Sequence, residues 1–540
     1  MLRRITRVVL AAAAAIALAV TLTGQLPAAA ATYVPINGAG STWSENAIRQ
    51  WASNVQQYGM RIDYAGTGST DGRNQFASGL TDFGVSEIPY GKDDNAGSEA
   101  KPKFPYAYMP IVAGGTAFMY NLTIGKNRLT NLRLSGDTLV KIFTNVITKW
   151  NDPAILKDNP GLALPARQIV PVVRSDGSGT TAQFSTWMAN QYPALWNAYC
   201  AKAGRKTPCG ITSIYPLIPG TSTTAQSSST GVAAYVAQDA SVGTITYVEY
   251  SYALNLHFPV AKVRNKADYY VEPTARSVAV ALLAAKINQD KNSPDYLTQD
   301  LSGVYTNPDR RTYPLSSYSY MLIPVDKEND RFTVAKGKTL GDFSYYFLCE
   351  GQQQADSLGY SPLPINLVKA GLEQVRRIPG VDAKAIDIKK CNNPTFSNDG
   401  SNTLAKNAPY PQSCDHVGTT QCTTGTGGAP GETPTSGGNK NNNPGGGTNN
   451  TAHPTATATA GAGATPTGGS SAGAVIDPDT GQVVSGGGGG ADSVSAIPVS
   501  LSNQLDPTLK LVLIIVSCAL LLGLTVGPPL AARLLRGGRR

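Results

Sequence analysis

A segment rich in hydroxyls and glycines, with one arginine, follows an apolar run in the middle of the chain. The apolar run 169–173 ends at Arg174, and the sequence continues SDGSGTT before an apolar helical pattern begins at Phe184. This order predicts a strand, a turn and a helix N-terminus. Such a terminus binds anions, because its first N–H groups lack partners and its dipole end is positive. Arg174 would add a fixed charge, and Ser178 and Thr180 would add hydroxyl donors.

A capped helix without any ligand would also explain this one turn, because Asp, Ser and Thr are common N-cap residues. Two further segments, however, have the same design. NGAGSTW (37–43) opens an apolar ladder of helical spacing formed by Trp43, Ala47, Trp51 and Val55. AGTGSTDG (65–72) follows a short strand candidate, and TDFGVSEIP (81–89) ends in an acid, Glu87. Three independent caps explain this combination poorly, and it favours one shared anion site.

Five ordered segments resemble the phosphate-binding protein of the bacterial phosphate-specific ABC transporter. The resemblance covers roughly residues 33–400, and it is carried by GAGSTW (38–43), GTGS (66–69), DFGVSE (82–87), RSDGSGT (174–180) and GTITYVEY (243–250). It implies an α/β, two-lobed periplasmic-binding-protein fold of type II that closes on one phosphate ion. Composition and periodicity alone predict only an α/β anion binder.

The resemblance also implies the residues of the site. Asp176 is expected to pair with Arg174 and orient it, since a second anion would repel the ligand. Glu87 stands where the family has an aspartate, and Trp43 where the family often has phenylalanine, which predicts a bulkier pocket rim. No catalytic residue, metal or cofactor is implied, so the chain is expected to be a binding protein and not an enzyme. The expected phosphate-binding residues are Thr42, Trp43, Ser69, Glu87, Arg174, Ser178, Gly179 and Thr180.

The hydrophobic pattern alternates between strands and helices, which predicts a mostly parallel sheet flanked by helices in each lobe. By resemblance, lobe one comprises 32–110 and 248–400, and lobe two comprises 111–247. Tyrosine-rich stretches such as 313–320 are read as packing. Strand candidates are 61–64, 82–88, 116–120, 169–173 and 242–248, and helix candidates are 42–58, 72–78, 135–144, 181–191, 231–238 and 273–287.

Both ends of the chain carry membrane-related patterns. Residues 1–31 combine arginines, a short apolar core and small residues, as in a cleaved signal peptide. Residues 511–532 are uncharged and long enough to cross a bilayer, and the basic tail 533–540 places the C-terminus in the cytoplasm. Residues 417–507 are rich in Gly, Thr, Asn and Pro and are read as a disordered stalk. The sequence therefore predicts a single-pass membrane protein with an extracytoplasmic phosphate-binding domain, 32–416.

The net charge bears on the binding partners, and the cysteine content bears on disulfide formation. Seven arginines lie in the two terminal regions, and removing them from the net charge of +9 leaves +2 for the rest. That balance does not indicate nucleic-acid binding. The expected partners are inorganic phosphate and the permease subunits of an ABC transporter, with the protein itself a monomer. Six cysteines outside the predicted span favour disulfides between neighbours, namely Cys200–Cys209, Cys349–Cys391 and Cys414–Cys422.

The sequence offers weaker support for a hydrolase or a nucleotide-binding protein. A serine hydrolase needs a base, but the histidines are only His257, His416 and His453, and no G-x-S-x-G elbow occurs. The segment KGKT (336–339) is similar to the end of a P-loop, yet Phe332 replaces the first glycine. A surface adhesin or sensor that kept the fold, or a binder of another oxyanion, remains the open alternative.

Overall fold

The structure is a computed structural model that describes residues 33–93, 99–326, 331–397 and 399–429, with two short strands farther along. The chain divides into two compact units, 1–442 and 443–540. In the second unit, Val475–Ile476 pairs antiparallel with Val483–Val484. The predicted signal peptide, transmembrane segment, basic tail and most of the stalk lie outside the described residues. Within the described residues, no helix has the length and apolar character needed to cross a membrane.

The first unit combines strands and helices along its whole length. Its strands are β1 Ile36–Gly40, β2 Ile62–Ala65, β3 Phe83–Ser86, β4 Tyr106–Tyr120, β5 Thr123–Ile124, β6 Asn127–Arg128, β7 Arg133–Leu134, β8 Val170–Arg174, β9 Thr224–Gln226, β10 Thr244–Glu249, β11 Val260–Arg264, β12 Tyr270–Val271, β13 Lys286–Ile287, β14 Gln299–Asp300 and β15 Ser316–Pro324. Its α-helices are α1 Glu45–Val55, α2 Ser69–Ala77, α3 Gly136–Phe143, α4 Pro153–Asp158, α5 Gly179–Gln191, α6 Pro193–Lys202, α7 Ser228–Ala237, α8 Tyr250–Asn255, α9 Ala275–Leu282, α10 Ser302–Tyr305, α11 Val334–Leu348, α12 Ile365–Val375 and α13 Thr403–Lys406.

One mixed sheet runs through the unit in the order β2-β1-β3-β15-β4-β10-β8-β9. Its outer strands are parallel, as predicted, but β4 and β15 at its centre pair antiparallel. The sequence predicts one mostly parallel sheet in each lobe, whereas the structure joins the parallel strands of both halves into one mixed sheet. The reason is β4, a buried strand of 15 residues that pairs with β15 up to Gly115 and with β10 from Thr116 onward. We call the β2-β1-β3-β15 side the first half and the β10-β8-β9 side the second half.

The helices bury the faces that their sequence periodicity predicts. The predicted ladder of Trp43, Ala47, Trp51 and Val55 is fully buried, and Trp51 stacks on Phe347 of α11 at 5.2 Å between ring centroids. Such aromatic pairs add about 0.5–1.5 kcal/mol beyond the area they bury. All six helix candidates overlap a helix, but the candidate 273–287 is too long. Its helix ends at Leu282, and residues 286–287 pair as β13 with β14.

The folded domain extends beyond the predicted boundary at residue 416. Residues 414–429, which we call the C-terminal strap, pack on β7 and its neighbours. Arg133, which is buried, donates to the carbonyl oxygens of Cys414 at 2.8 Å and Thr419 at 2.7 Å. The amide of Thr426 donates to the Thr130 carbonyl at 3.1 Å. The start of the stalk at residue 417 is therefore wrong, because backbone hydrogen bonds hold a segment whose composition offers few apolar contacts.

The three disulfides predicted from neighbouring cysteines are confirmed. Cys200–Cys209 and Cys414–Cys422 close short loops with sequence separations of 9 and 8 residues. Cys349–Cys391 has a separation of 42 residues and ties the end of α11 to a 3₁₀ turn at Ile388–Cys391. Cys349–Cys391 closes the longest loop and is therefore expected to constrain the unfolded chain most.

We expect the free energy of unfolding to depend on which disulfide is removed. Loop entropy assigns about 4 kcal/mol to a 42-residue loop and about 2.5 kcal/mol to a 9-residue loop. Replacing Cys349 and Cys391 together by serine should therefore lower the stability in urea more than replacing Cys200 and Cys209. An equal or smaller loss for the Cys349–Cys391 pair would contradict the entropic explanation.

Candidate functional site

The first predicted turn joins β1 to α1 and places backbone donors before the helix. The helix was expected from Thr42 but begins at Glu45, so Thr42 and Trp43 lie in the turn itself. The Trp43 amide donates to Ser41 Oγ at 3.0 Å. Gly40 has a φ of +139°, a positive value that residues with a side chain rarely adopt. The close turn therefore depends on this glycine.

The indole of Trp43 does not form the pocket rim that the sequence predicted. The side chain is only 1% exposed, and its ring meets Tyr360 edge-on at 5.8 Å between centroids. Gly114 of β4 makes room for it, because an added Cβ there would lie 2.7 Å from the indole ring. The expectation of a bulkier rim is therefore wrong: a gap opposite Gly114 takes the larger ring into the core.

The second turn brings Ser69 to the first position of α2, three residues before the predicted start. Gly68 precedes it with a φ of +93°. Ser69 Oγ donates to Glu87 Oε2 at 2.7 Å and accepts from the Gly179 amide at 3.1 Å. Ser69 therefore links an acid of the first half of the sheet to the helix N-terminus of the second half.

The third turn follows β8 and ends in the N-terminus of α5. Ser178 is the N-cap, and its Oγ accepts from the Thr181 amide at 3.2 Å. Arg174 Nε donates to Asp176 Oδ1 at 2.7 Å, and Arg174 Nη2 contacts the other carboxylate oxygen. This is the orienting pair that charge repulsion predicted. The remaining amino group, Nη1, donates to Ser229 Oγ at 3.2 Å.

Glu87 is fully buried between these turns. Its Oε1 accepts from Ser41 at 2.5 Å and from Ser319 at 2.8 Å, and its Oε2 accepts from Ser69. Burial raises the pKa of Glu87, and hydrogen bonds from the three serines oppose that rise. The carboxylate also lies against Gly179, where an added Cβ would be 1.8 Å from Oε2. A side chain at position 179 would therefore displace the acid.

Contacts between the two halves of the sheet connect the turns. Thr42 Oγ1 lies 2.8 Å from Ser229 Oγ and accepts from the Ser229 amide at 3.1 Å. Gln183 Nε2 donates to the Glu87 carbonyl at 2.8 Å. Thr180 Oγ1 is buried and has no hydrogen-bond partner among the described residues. The structure thus gathers all the predicted site residues around one junction, with one hydroxyl donor unused.

Three serines of this network were not predicted. Ser41 lies inside the first motif, next to residues that were singled out. Ser229 is the second residue of α7, and Ser319 lies on β15, in the tyrosine-rich stretch 313–320 that the sequence predicts to be packing. The tyrosines there are buried as expected, but Ser319 contacts Glu87. Its sequence signal is weak: a hydroxyl on alternate residues of an otherwise apolar strand.

Other chemistry finds no support in the described residues. No group of acidic, histidine or cysteine side chains there could hold a metal ion. The P-loop-like residues 336–339 lie within α11, where Lys336 Nζ donates to Asp82 at 2.8 Å. A helical backbone cannot wrap phosphates as a P-loop does.

The chain is similar to proteins of one kind. A family model described as a PBP superfamily domain matches residues 26–350. The phosphate-binding protein PstS of Methanocaldococcus jannaschii is 31% identical over 349 residues, which cover 64% of this chain and 86% of that protein. PstS of Xylella fastidiosa is 34% identical over 344 residues, covering 62% and 83%. Among solved structures, a high-affinity periplasmic phosphate-binding protein called PfluDING is 20% identical with a TM-score of 0.49, covering 67% and 98%.

Glu87 and Asp176 are expected to change the protein's stability in opposite directions. The raised pKa of Glu87 means that its ionisation costs folding free energy once the pH exceeds the glutamate pKa of the unfolded chain, about 4.3. Glu87→Gln should therefore raise the melting temperature in phosphate-free buffer at pH 7.5, and the gain should vanish near pH 4.

Asp176 supplies the control with the opposite sign. Burial opposes ionisation of Asp176, yet hydrogen bonds and charge from Arg174 hold its pKa below the ordinary aspartate range. Its stabilising contribution is present above about pH 4 and lost as the pH falls through the lowered pKa. Asp176→Asn should thus lower the melting temperature at pH 7.5. Destabilisation of both variants at that pH would contradict the assignment for Glu87.

Proposed function

Because the chain belongs to the PBP superfamily and, within it, to the PstS family of phosphate-binding proteins, we propose that it captures inorganic phosphate outside the cytoplasm for an ABC importer. The family is one of binding proteins and not of enzymes. One observation carries the proposal for this chain. Donors from both halves of the sheet converge with a single buried acid, Glu87, at the N-termini of α2 and α5.

The donors suit an oxyanion in both charge and direction. Arg174 is held in one orientation by Asp176, and its guanidinium lies beside the turn that starts α5. The first amides of α5, at Gly179 and Thr180, have no partner within the helix and meet the positive end of its dipole. The unused hydroxyl of Thr180 adds a donor. We propose that the donors to phosphate come from seven residues: Thr42, Trp43, Ser69, Arg174, Ser178, Gly179 and Thr180.

Glu87 gives the site its selectivity. Near neutral pH phosphate still carries a proton, whereas sulfate carries none. An ionised carboxylate accepts a hydrogen bond from the phosphate hydroxyl, and such charge-assisted bonds are about twice as strong as neutral ones. Sulfate would instead bring negative oxygens against a buried negative group. Sites that depend on one hydrogen-bonded group reject ligands that lack it by about 10⁴–10⁵-fold.

Capture requires the two halves to separate and close. The strand β4 is continuous across the junction, and it exchanges its partner from β15 to β10 between Gly115 and Thr116. We place the hinge at this exchange, a few residues beyond the boundary at 110 that the sequence predicts between lobe one, 32–110 and 248–400, and lobe two, 111–247. The inter-half bonds of Ser69, Ser229 and Gln183 would break on opening.

The location follows from the ends of the chain and the cysteines. We propose that a signal peptide directs the domain outward and that 511–532 anchors it, as a monomer, to the cell membrane beside its permease. The three disulfides suit an oxidising compartment. The alternative of an adhesin or sensor is not favoured, because an adhesin would not need buried donors aimed at one acid.

Calorimetry on the purified full-length protein tests this function. We expect phosphate to bind far more tightly than sulfate, and Glu87→Gln to reduce that preference by two or more orders of magnitude, since the amide can also donate to sulfate. Glu272→Gln is the matched control, because Glu272 is a partly buried acid with a raised pKa, bonded to Tyr250 and not to the site. Comparable affinities of the unmutated protein for both anions would reject the proposal.

A further inference from the structure

Ser319 contacts the site from a strand that carries none of the anion-binding motifs. It lies on β15, where Tyr320 pairs with Ser86 in antiparallel register, so that Ser319 is opposite Glu87. The pairing of β15 with β4 shifts by one residue between Ser319 and Tyr320. Ser319 Oγ lies 2.8 Å from Glu87 Oε1 and is fully buried. The contact is therefore built into the centre of the sheet.

The hydroxyl of Ser319 has two possible acceptors and one hydrogen. It lies 3.0 Å from Ser44 Oγ as well as 2.8 Å from the Glu87 carboxylate. The carboxylate is the stronger acceptor, because charge-assisted hydrogen bonds are shorter and stronger. Ser44, for its part, is the N-cap of α1 but makes no side-chain capping bond. A serine in this position usually contributes about 1 kcal/mol by capping, so the hydroxyl pair replaces an ordinary stabilising bond.

The other two serines on Glu87 are tied to the anion-binding turns. Ser41 Oγ accepts from the Trp43 amide, and Ser69 Oγ accepts from the Gly179 amide. Both backbone groups are among those assigned to the ligand, so these serines change their surroundings whenever an anion binds. Apart from its bond to Glu87 itself, the Ser319 hydroxyl contacts Ser44, which is not assigned to the ligand. Of the three, it is the partner that can hold the Glu87 carboxylate in place both with and without an anion.

We infer that Ser319 is a specificity-determining residue, which positions the Glu87 carboxylate as the acceptor for the hydroxyl of a protonated oxyanion. The inference rests on the proposed function and extends it to a residue outside the five motifs. Ser319 acts through Glu87 and does not touch the ligand.

The pH dependence of binding separates positioning from simple packing. Hydrogen bonds from the serines keep the pKa of Glu87 from rising further, so removing one donor raises it. The ionisable groups near Glu87 are Tyr64 on β2, Tyr320 on β15 and Arg73 of α2, which bonds to Ser86. Burial raises the pKa of both tyrosines well above 10, so they stay neutral between pH 5 and 9. We therefore assign a change in the pH dependence of binding to Glu87, whose pKa is raised by burial and lowered by the serine hydroxyls.

The chain offers a matched control for Ser319. Ser317 is on the same face of β15, two residues away, and its buried hydroxyl has no partner among the described residues. Ser317→Ala removes the same atom from the same strand without removing a hydrogen bond. Ser319→Cys provides a second test if Ser319→Ala does not fold, because a thiol has nearly the same shape but is a weak donor.

The experiment measures phosphate and sulfate binding by calorimetry between pH 5 and 9 on the full-length protein and its variants. We expect Ser319→Ala to lower the phosphate-to-sulfate affinity ratio about tenfold or more, as for loss of a bond to a charged group. Because the pKa of Glu87 rises in this variant, the protonated acid should tolerate sulfate up to a higher pH than in the unmutated protein. Ser319→Cys should show the same changes in smaller measure, and Ser317→Ala should stay within about twofold.

A second arm tests whether Ser319 acts through Glu87. In the Glu87→Gln background, Ser319→Ala should leave the affinity ratio unchanged, since there is no carboxylate left to position. An unchanged ratio and pH profile in both Ser319 variants would overturn the inference. If Glu87→Gln erodes the ratio and the Ser319 variants do not, only this inference fails. If Glu87→Gln itself keeps the ratio, the proposed function of Glu87 fails instead.

Discussion

The site is organised around one buried carboxylate, Glu87, which accepts hydrogen bonds from three serine hydroxyls. Leaving an ionised acid without partners in the interior costs several kcal/mol or shifts its pKa until it is neutral. Among the described residues, the partners of Glu87 are Ser41, Ser69 and Ser319, and Arg174 is paired with Asp176 instead. This division keeps the acid available as an acceptor. An arginine paired with Glu87 would neutralise the feature that, in the proposed function, separates a protonated from an unprotonated oxyanion.

The central strands explain how one acid can serve both halves of the sheet. Glu87 follows β3, next to β15, and β15 is the neighbour of the long strand β4. The acid therefore lies close to the junction about which the halves must move. Ser69 and the Gly179 amide extend its hydrogen bonds into the second half. In the proposed function, selectivity and closure therefore use the same bonds, since a ligand that fits the acceptor would also complete the contact between the halves.

The local features of the site are predictable from the sequence, whereas features that depend on the pairing of distant segments are not. Glycines and hydroxyls at helix starts predicted the turns around Thr42, Ser69 and Ser178, because that chemistry is encoded within a few residues. The contact of Ser319 with Glu87 spans 232 residues and results from strand register, which the local pattern does not contain. The position of Trp43 depended similarly on Gly114 of another strand.

The same reasoning explains the errors in the fold. Composition made residues 417–429 look like stalk, but Arg133 and a short disulfide loop hold them by bonds that composition does not measure. The parallel strands on each side followed from alternating strands and helices, whereas β4 and β15 appeared as separate or tyrosine-rich pieces. Antiparallel pairing between segments about 200 residues apart has no local signature.

A high-resolution structure of the full-length protein with bound phosphate tests the central claim most directly. The account predicts one phosphate oxygen within about 2.5–2.7 Å of a Glu87 carboxylate oxygen, the distance of a charge-assisted O–H bond, with donors on the other oxygens. Ser319 should still contact Glu87 in that complex. A phosphate that meets donors on all four oxygens while Glu87 points elsewhere would contradict the account.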